Sequence, residues 1–340
     1  MSQAVAKHHP THTGKTMRAT IVQAIAHAML VEMERDPSVL VLGEDVGKDG
    51  GVFRATEGLF ERFGEERVMD TPISESAIVG CSIGLAIGGF RPVGEMQFMG
   101  FIYPAINQLC SHAARYRWRT RGRHKMPIVI RMPYGGGIHA PEHHSESYEA
   151  FLAHSPGLKV VIPSTPYDAK GLLISAIRDD DAVIFMEPKR IYRAFREEIP
   201  EDAYTVPIGK AKIVEEGSDI TLISYGAMMR PTLDAAKQLK SEGVSAEVLD
   251  LRTIMPMDQA AIIQSVTQTG RCVVVHEGPR TCGVGAEVAA LINERAILHL
   301  LAPVVRVTGY DTPMPLAKTE LDYLPDTQRV LNAVRKTMEF

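Results

Sequence analysis

The stretch DTPISESAIVG, residues 70–80, decides how this sequence is interpreted. A proline turn leads into a helix-like run of small and apolar residues, with Glu75 at its start. Gly80, Gly84 and Gly88 follow at a four-residue spacing, which places them on one helix face. Each glycine costs about 1 kcal/mol of helix stability relative to alanine, so the spacing favours a helix that another backbone approaches closely. The helix dipole only modestly stabilises an acid at this position, and its desolvation is costly, so a functional Glu75 is favoured over a packing role.

Composition limits the class of protein. The chain has 340 residues, of which 45% are hydrophobic, enough for two domains with their own cores. A formal net charge of −4 gives no electrostatic argument for nucleic acid or an acidic membrane as a partner. No apolar run reaches the ~18 residues of a membrane span, and the first residues lack the apolar core of a secretory signal. Four cysteines without metal spacing indicate reduced thiols in the cytoplasm.

Apolar runs bounded by turns alternate with amphipathic stretches, which predicts an α/β fold with mostly parallel strands. The predicted strands include SVLVLGED (38–45), MPIVIRMPYGGG (126–137) and RCVVVHEG (271–278). After Pro188 the sequence becomes polar and unperiodic, which is typical of a linker. The predicted division is a disordered tail (1–16), a first domain (17–190), a linker (191–206) and a second domain (207–340).

The pattern that starts at Glu75, an acid followed by glycines at Gly80 and Gly84, resembles the motif on the pyrimidine side of thiamine diphosphate enzymes. The surrounding sequence resembles the beta subunit of the decarboxylating component of 2-oxo acid dehydrogenase complexes. The resemblance covers nearly everything from residue 17 onward and includes HHSES (143–147) and RVTGYDTPMP (306–315). It implies a pyrimidine-binding domain followed by a transketolase C-terminal-like domain.

The resemblance also implies a role for Glu75. In this family the matching acid hydrogen-bonds ring nitrogen N1′ of the cofactor's aminopyrimidine. A poorly solvated carboxyl group can share a proton with that nitrogen, which favours the imino tautomer that removes the thiazolium C2 proton. The resulting carbanion attacks the keto carbon of a 2-oxo acid, and the thiazolium ring accepts the electrons released with carbon dioxide.

A second motif of the family is missing. The sequence has no GDG followed, roughly 25–30 residues later, by paired asparagines, which in the family hold magnesium and the diphosphate through hard oxygen ligands. The chain can therefore supply only half of a cofactor pocket. The resemblance implies that an alpha subunit supplies the magnesium half in an α2β2 heterotetramer.

Four further residues receive roles through the same resemblance. His144 matches the histidine that supplies or holds protons during acyl transfer to a lipoyl group of the core acyltransferase. Phe101 matches the aromatic residue on the aminopyrimidine ring, where stacking contributes about 1 kcal/mol. Gln97 is expected to line the substrate pocket. Glu44 is expected near the cofactor, in a proton path between two active sites.

A structural potassium site is implied at SAIRDDD, residues 175–181, where three acids end a helix. Acids oppose the dipole at a helix C-terminus, so a cationic partner is expected. By resemblance the ligands are the side chains of Asp179 and Asp181 and the carbonyl groups of Ala176, Ile177 and Ile128. A solvated turn is the alternative interpretation.

Two other segments suggest different functions. RYRWRTRGRHK (115–125) has six cations with two aromatic residues, which is typical of a nucleic-acid patch, but the acidic balance of the chain favours a helix end neutralised by acids. GPRTCGVGAEVAA (278–290) opens a helix with G-x-G but has Val288 where a dinucleotide site needs glycine or alanine. A tight turn into a helix is predicted there.

The predicted function is therefore that of an enzyme subunit for oxidative decarboxylation of a 2-oxo acid, active only with its alpha partner. Pyruvate is the preferred substrate, and the branched-chain 2-oxo acids and acetoin remain alternatives. A self-contained transketolase-like enzyme is disfavoured because the diphosphate motif is missing. A non-catalytic docking module is disfavoured because Glu75, Phe101 and His144 are all present.

Overall fold

The computed structural model describes residues 14–340, which form two α/β units joined by a short connecting segment. The helices are α1 (Ile21–Arg35), α2 (Leu59–Phe63), α3 (Glu75–Ile87), α4 (Ala114–Arg119), α5 (Glu149–Ala153), α6 (Pro166–Arg178), α7 (Met229–Ser241), α8 (Gln259–Thr269), α9 (Val284–Ala296), α10 (Glu320–Tyr323) and α11 (Thr327–Met338). The predicted tail lies, up to residue 13, outside the described residues.

The first sheet has seven strands, six of which run parallel to one another. In the order across the sheet they are β12 (Thr253–Met255), β6 (Lys159–Val161), β7 (Val183–Pro188), β5 (Val129–Tyr134), β4 (Arg91–Glu95), β2 (Val39–Gly43) and β3 (Val68–Asp70). Every residue of β2, β5 and β7 is buried, as expected for a parallel sheet covered by helices on both faces.

The second sheet has five strands, of which only the outer β9 is antiparallel to its neighbour. Their order is β14 (Val305–Val307), β13 (Cys272–Val275), β10 (Ile220–Ser224), β11 (Ala246–Asp250) and β9 (Lys212–Glu215). Two mostly parallel sheets with helices between their strands confirm the predicted fold class.

The first layer of helices is built from α1 and α6, which pack against each other. Thr20 caps α1 through a capping box with Gln23, so the first turn has partners for its free amides. Thr165 caps α6 by accepting a hydrogen bond from the backbone N–H of Asp168, and Pro166 occupies the first helical position, where it loses no hydrogen bond.

The segment predicted as a linker, residues 191–206, carries its own strand. Within it β8 (Glu197–Pro200) pairs with the N-terminal β1 (Thr16–Ala19) in a two-stranded antiparallel sheet. Tyr204 and Val206 are buried, and a Cβ at Gly171 on α6 would overlap both side chains. The connecting segment is thus packed onto the first unit.

The short β12, which follows β11 in the chain, crosses back to pair with β6.

Residues 99–119 form a helical but irregular stretch. Two 3₁₀ turns, Met99–Phe101 and Tyr103–Ala105, precede a π-helical stretch at Asn107–Ala113, which continues into α4. Pro104 stands in the second turn, where it cannot donate a helical hydrogen bond.

Within residues 14–340, no helix combines the length and apolar character needed to cross a membrane.

Candidate active site

The predicted site residues lie at one edge of the first sheet, where its parallel strands end. Glu44 follows β2, Gln97 lies two residues after β4, and the glycine-rich loop that leads to His144 follows β5. Glu75 begins α3, the helix that connects β3 to β4. The carboxyl ends of parallel strands are the usual location of ligand sites in α/β folds, so the topology itself gathers these side chains.

Close packing of α3 on β4 holds Glu75 in place. A Cβ at Gly94 of β4 would lie 3.1 Å from the Ser82 hydroxyl and 3.4 Å from an Ile78 methyl carbon, so this strand residue must stay small. Ile78, Val79 and Ser82 are buried on the helix face that meets the sheet. Glu75, as the first helical residue, lies at the positive end of the helix dipole.

Glu75 and Glu44 form a pair of carboxylates. Glu44 is buried, and burial followed by the charge of Glu75 raises its pKa, although the backbone N–H of Ser74 opposes this shift. Glu75 itself is half-buried, and among residues 14–340 its carboxylate has neither a hydrogen-bond donor nor a cationic partner. A half-buried acid without a donor is costly unless a further group completes the site.

A buried ion-pair network lies beneath this pair. Arg131 is fully buried and donates hydrogen bonds to Glu187 at 2.7 and 3.0 Å and to Glu95 at 2.7 Å. Tyr192 donates to the same Glu187 carboxylate at 2.5 Å. Burial raises the pKa of Glu95 against the opposing effect of Arg131, and the Glu95 charge contributes in turn to the raised pKa of Glu44. The network therefore fixes the strand ends and makes their surroundings acidic.

Gln97 contacts the end of β2 across the sheet edge. Its Nε2 donates a hydrogen bond to Asp45 Oδ2 at 3.1 Å, and Asp45 has a left-handed backbone with φ of 57°. This bond orients the Gln97 amide beside Glu44, the neighbour of Asp45 in the chain.

Aromatic rings form a wall next to these acids. The His144 ring packs edge-on against Phe98 and Phe101, with centroid distances of 4.4 and 5.1 Å. The two phenylalanine rings also contact each other at 5.5 Å. Gly100 allows this arrangement, because a Cβ there would lie 1.9 Å from the carbonyl oxygen of His143. The predicted residues Phe101 and His144 are therefore direct neighbours.

His144 has the features of a neutral base. Its Nδ1 is buried and lacks a hydrogen-bond partner in the described part of the chain. Burial, followed by the positive charge of Lys189, lowers the pKa of His144 below the ordinary histidine value. His139 lies in the same loop, where its Nδ1 is 3.1 Å from Glu320 Oε2.

Protein cations surround the acids of the predicted potassium site. Lys159 Nζ donates to Asp179 at 2.7 and 2.8 Å and lies 3.1 Å from Asp181 Oδ2, while Arg117 donates to Asp181 Oδ1 at 2.6 Å. Of the three predicted carbonyl ligands, Ile128 accepts from the Val183 amide, Ala176 from the Asp179 amide and Ile177 from Arg91. The cationic compensation expected at this helix end is thus present in the chain itself.

The basic segment 115–125 supplies part of that compensation. Arg117 pairs with Asp181, and Lys125 pairs with Asp180 at 2.8 Å, which agrees with a helix end neutralised by acids.

The G-x-G turn also has a packing explanation. Gly283 precedes α9, and Gly285 donates its amide to His276 Nε2 at 3.1 Å, where a Cβ would overlap the imidazole ring.

An uncovered apolar surface borders the Glu75 site. Ile73, two residues before Glu75, is 84% exposed, and Ile87 and Phe90 at the other end of α3 are exposed as well. A Cβ added to Gly84 would meet no atom within 4 Å. The glycine face of α3 is therefore uncovered at Gly84 in the described chain, whereas a Cβ at Gly80 would lie 3.9 Å from the Gln108 side chain.

Sequence reasoning missed several residues of the site. Phe98 and Lys189 were not singled out, although both follow the ends of parallel strands, which is the position that marked Glu44. Glu277 lies at the end of the predicted strand RCVVVHEG (271–278), but nothing in its sequence context distinguished it from a structural residue. Glu320 lies near the C-terminus in a segment without a recognisable motif, and no local signal could have identified it.

Comparisons with known proteins agree with this geometry. The family described as "Transketolase, pyrimidine binding domain" matches residues 17–194, and "Transketolase, C-terminal domain" matches residues 209–330. A solved structure described as "Split gene transketolase, inactive beta4 tetramer" superposes with a TM-score of 0.77 at 24% identity, covering 94% of this chain and 98% of that one, which supports the fold.

The chain belongs to the thiamine-diphosphate-dependent transketolase-like family, in its branch of 2-oxo acid dehydrogenase beta subunits. Within that branch it is 53% identical over 321 residues to the "Pyruvate dehydrogenase E1 component subunit beta" of Bacillus subtilis, which covers 94% of this chain and 99% of the relative. The proteins of the same description from Staphylococcus epidermidis and Staphylococcus aureus are 53% and 51% identical with the same coverage.

Proposed function

We propose that this chain is the beta subunit of a pyruvate dehydrogenase, which decarboxylates pyruvate and transfers the acetyl group to a lipoyl group together with an alpha subunit. The resemblance to pyruvate dehydrogenase beta subunits at 51–53% identity over nearly the full chain supports pyruvate over branched-chain 2-oxo acids and acetoin. The observation that carries the proposal is the half-buried Glu75 carboxylate, which has no donor within residues 14–340 and lies beside the buried Glu44.

The residues present fit the pyrimidine half of thiamine diphosphate. A nitrogen heterocycle would give Glu75 the partner that it lacks. The aromatic wall of Phe98 and Phe101 offers apolar contact to a flat ring, and the Gln97 amide is oriented at the same sheet edge. The carboxylates of Glu75 and Glu44 would repel a phosphate, whereas the Gln97 amide and the phenylalanine rings suit a flat heterocycle.

When bound, thiamine diphosphate supplies a thiazolium ring that accepts the electrons released in decarboxylation. Glu75 holds a proton against the pyrimidine ring nitrogen and exchanges it with that atom. Burial and the charge of Glu75 raise the pKa of Glu44, so Glu44 can hold a proton beside Glu75 more readily than a free carboxyl group does. Glu44 and Gln97 line the approach to this position.

An alpha subunit is proposed to cover the glycine face of α3 and to complete the pocket. The exposed Ile73, Ile87 and Phe90 give that face an apolar character, and Gly84 leaves room for a closely approaching backbone. The missing diphosphate motif assigns magnesium to the same partner. The proposed assembly is an α2β2 heterotetramer that docks on a lipoyl acyltransferase core in the cytoplasm.

His144 is proposed to hold and return protons during reductive acylation of the lipoyl disulfide, in which one sulfur takes the acetyl group and the other leaves as a thiolate that needs a proton. A neutral imidazole can accept a proton at physiological pH, and both burial and the Lys189 charge favour the neutral form. The rings of Phe98 and Phe101 limit the rotation of the imidazole ring, so Nδ1, the nitrogen without a hydrogen-bond partner in the described residues, has a defined direction.

Potassium is proposed as a further partner of the carboxylates of Asp179 and Asp181. The carbonyl groups of Ile128, Ala176 and Ile177 each retain a second lone pair after their backbone or arginine hydrogen bonds. Lys159 already binds both carboxylates, so an ion would share them with the ammonium group or replace it.

Co-expression tests the proposal. The chain alone should not decarboxylate pyruvate, and addition of its alpha partner with thiamine diphosphate and magnesium should produce activity. Steady-state rates of the tetramer with pyruvate, 2-oxoisovalerate and acetoin identify the substrate, and pyruvate should have the highest kcat/KM. Activity of the isolated chain would overturn the half-site argument, and a preference for 2-oxoisovalerate would overturn the substrate.

A further inference from the structure

The loop that carries the histidines is a closed excursion from the first sheet. The Gly135 amide donates to the Glu146 carbonyl at 2.9 Å, so the two ends of segment 135–146 are tied together at the end of β5. His143 and His144 lie near its second end. We call this segment the histidine loop.

The second unit of the chain holds the first part of the histidine loop with two buried carboxylates. Glu277, at the end of β13, accepts a hydrogen bond from the Gly136 amide at 2.9 Å. Glu320, the first residue of α10, accepts from the Gly137 amide at 2.7 Å and from the His139 amide at 2.8 Å. Both acids are at most 2% exposed. Three amides of one loop thus bind acids more than 140 positions away, since the Gly136–Glu277 separation is 141 residues.

The backbone of the loop is shaped to this contact. Gly135 and Gly137 have φ of +82° and +91°, in the region that favours glycine. A Cβ at Gly135 would lie 2.5 Å from a Glu277 oxygen, and one at Gly137 would lie 2.5 Å from the Arg190 side chain. Gly135 therefore allows Glu277 to approach the main chain, and Gly137 leaves room for the Arg190 side chain.

Lys189 connects these acids to His144. Its buried ammonium group donates a hydrogen bond to the Gly135 carbonyl and lies 6.0 Å from the centre of the Phe98 ring, the same ring that packs on His144. Lys189 lies in the field of Glu277, Glu320 and Glu146. The Lys189 ammonium group is thus anchored to the loop near His144, and the carboxylates of the second unit balance its positive charge.

We propose that Glu277 and Glu320, through the loop amides and Lys189, are positioning residues that fix the place and the protonation state of His144. This inference rests on the proposed role of His144 in acyl transfer, and it gives the second unit a part in that step. Neither acid contacts His144 directly, so both act through the loop and through Lys189.

The direction of the electrostatic effect follows from the groups around His144. Lys189, His143 and Glu142 carry or can carry charge there, while Phe98 and Phe101 exclude water. After burial, the Lys189 charge is the largest cause of the lowered pKa of His144. Removal of that charge should therefore raise the pKa, and a change that retains it should not.

The first experiment follows carbethoxylation of His144 against pH in the assembled tetramer, with mass spectrometry of its peptide and the exposed His154 as internal reference. Lys189→Met should shift the midpoint of the His144 profile to higher pH, and Lys189→Arg should leave it near that of the unmodified protein. A folded Lys189→Met tetramer with an unshifted midpoint would overturn the inference.

The second experiment measures amide hydrogen exchange of the histidine loop in Glu320→Gln. Glutamine has one acceptor oxygen for two amides and turns its own NH2 toward the other, so exchange at Gly137 and His139 should accelerate about tenfold or more. Glu242→Gln, at an exposed ion pair of the second unit, is the matched control and should leave the loop protected. Unchanged protection in Glu320→Gln would refute the anchoring of the histidine loop by Glu320, even if Lys189→Met failed to fold.

The two proposals fail in different ways. If Lys189→Met shifts the His144 profile but His144→Ala leaves lipoyl acylation unchanged, the positioning of His144 stands and its role in acyl transfer is rejected. Loss of acylation in His144→Ala, with unshifted profiles and a protected loop in the Lys189 and Glu320 variants, would keep that role and reject the positioning.

Discussion

The carboxylate of Asp179 accepts two hydrogen bonds from the ammonium group of Lys159, at 2.7 and 2.8 Å. Both side chains are mostly buried, and although burial lowers the pKa of Lys159, its hydrogen bonds to Asp179 and Asp181 raise the pKa above the ordinary value. A lysine on β6 thus balances the acids that follow α6, which is the compensation that a helix C-terminus rich in acids requires.

We expect Lys159→Met to lower the free energy of unfolding by about 1–3 kcal/mol, because two partly buried carboxylates lose a partner. Urea titration measures the loss. If potassium binds here, potassium chloride should restore more stability in this variant than tetramethylammonium chloride of equal ionic strength. Lys210→Met is the control, since Lys210 is exposed and lies 3.8 Å from Asp258; an equal loss in both variants would contradict the assignment.

Asp181 should make the free energy of unfolding depend on pH in the acidic range. Although burial opposes it, hydrogen bonds from Arg117 and Lys159 lower the pKa of Asp181 below its ordinary value. The stabilisation that the ionised Asp181 contributes is therefore complete above the ordinary aspartate pKa of about 3.9. It is lost as the pH falls through the lower pKa that Asp181 has in the folded protein. The difference between the unmodified protein and Asp181→Asn, about 0.5–1 kcal/mol, should shrink below about pH 4. Urea midpoints from pH 6 to pH 3 test this, and a difference that does not change with pH would argue against it.

Glu75→Gln should reduce decarboxylation by about 10²–10⁴-fold, because glutamine cannot exchange a proton with the pyrimidine nitrogen. The tetramer should still assemble, since the carboxylate makes no hydrogen bond within residues 14–340. Turnover with an artificial electron acceptor and sedimentation of the complex measure the two effects. Near-normal turnover would refute the role of Glu75.

His144→Ala should reduce lipoyl acylation more than decarboxylation with an artificial acceptor, because only the former needs protonation of the thiolate that leaves when the lipoyl disulfide opens. A tenfold or greater difference between the two losses is expected from the usual contribution of a general acid or base. Phe98 and Phe101 should retain their contact, so circular dichroism of the variant should match the unmodified protein. Equal losses in both assays would count against the role.

Gly84→Ala should stabilise the isolated chain and weaken its assembly with the alpha subunit. A Cβ at Gly84 meets no atom within 4 Å, so alanine should add about 1 kcal/mol of helix stability. The same methyl group should obstruct a backbone that packs on this face. Thr267→Ala, at an exposed position of α8, is the control and should leave assembly unchanged. Unimpaired assembly of Gly84→Ala would exclude this face from the interface.

The sequence predicted the fold and much of the site because both depend on local patterns. The buried strands β2, β5 and β7 appear as continuous apolar runs, and Glu44 and Gln97 follow strand ends. The Gly80 and Gly84 spacing identified the exposed helix face. The family resemblance then connected these positions to one cofactor.

Long-range contacts could not be predicted in the same way. Lys159 is 20 residues from Asp179 in the chain, and Glu320 is 183 residues from Gly137, so no spacing rule connects them. The connecting segment 191–206 appeared to be polar and irregular, but its strand pairs with β1 at the start of the described chain. Partners of this kind are set by tertiary packing, which a local pattern does not contain.

The short β12 has a consequence for attempts to divide the protein. It belongs in sequence to the second unit, but it completes the first sheet by pairing with β6. A truncation after residue 206 would leave the main-chain groups of β6 without their neighbour, and an unprotected strand of that kind promotes aggregation. Autonomous folding of either half should therefore be poor, and fragment expression should yield insoluble material.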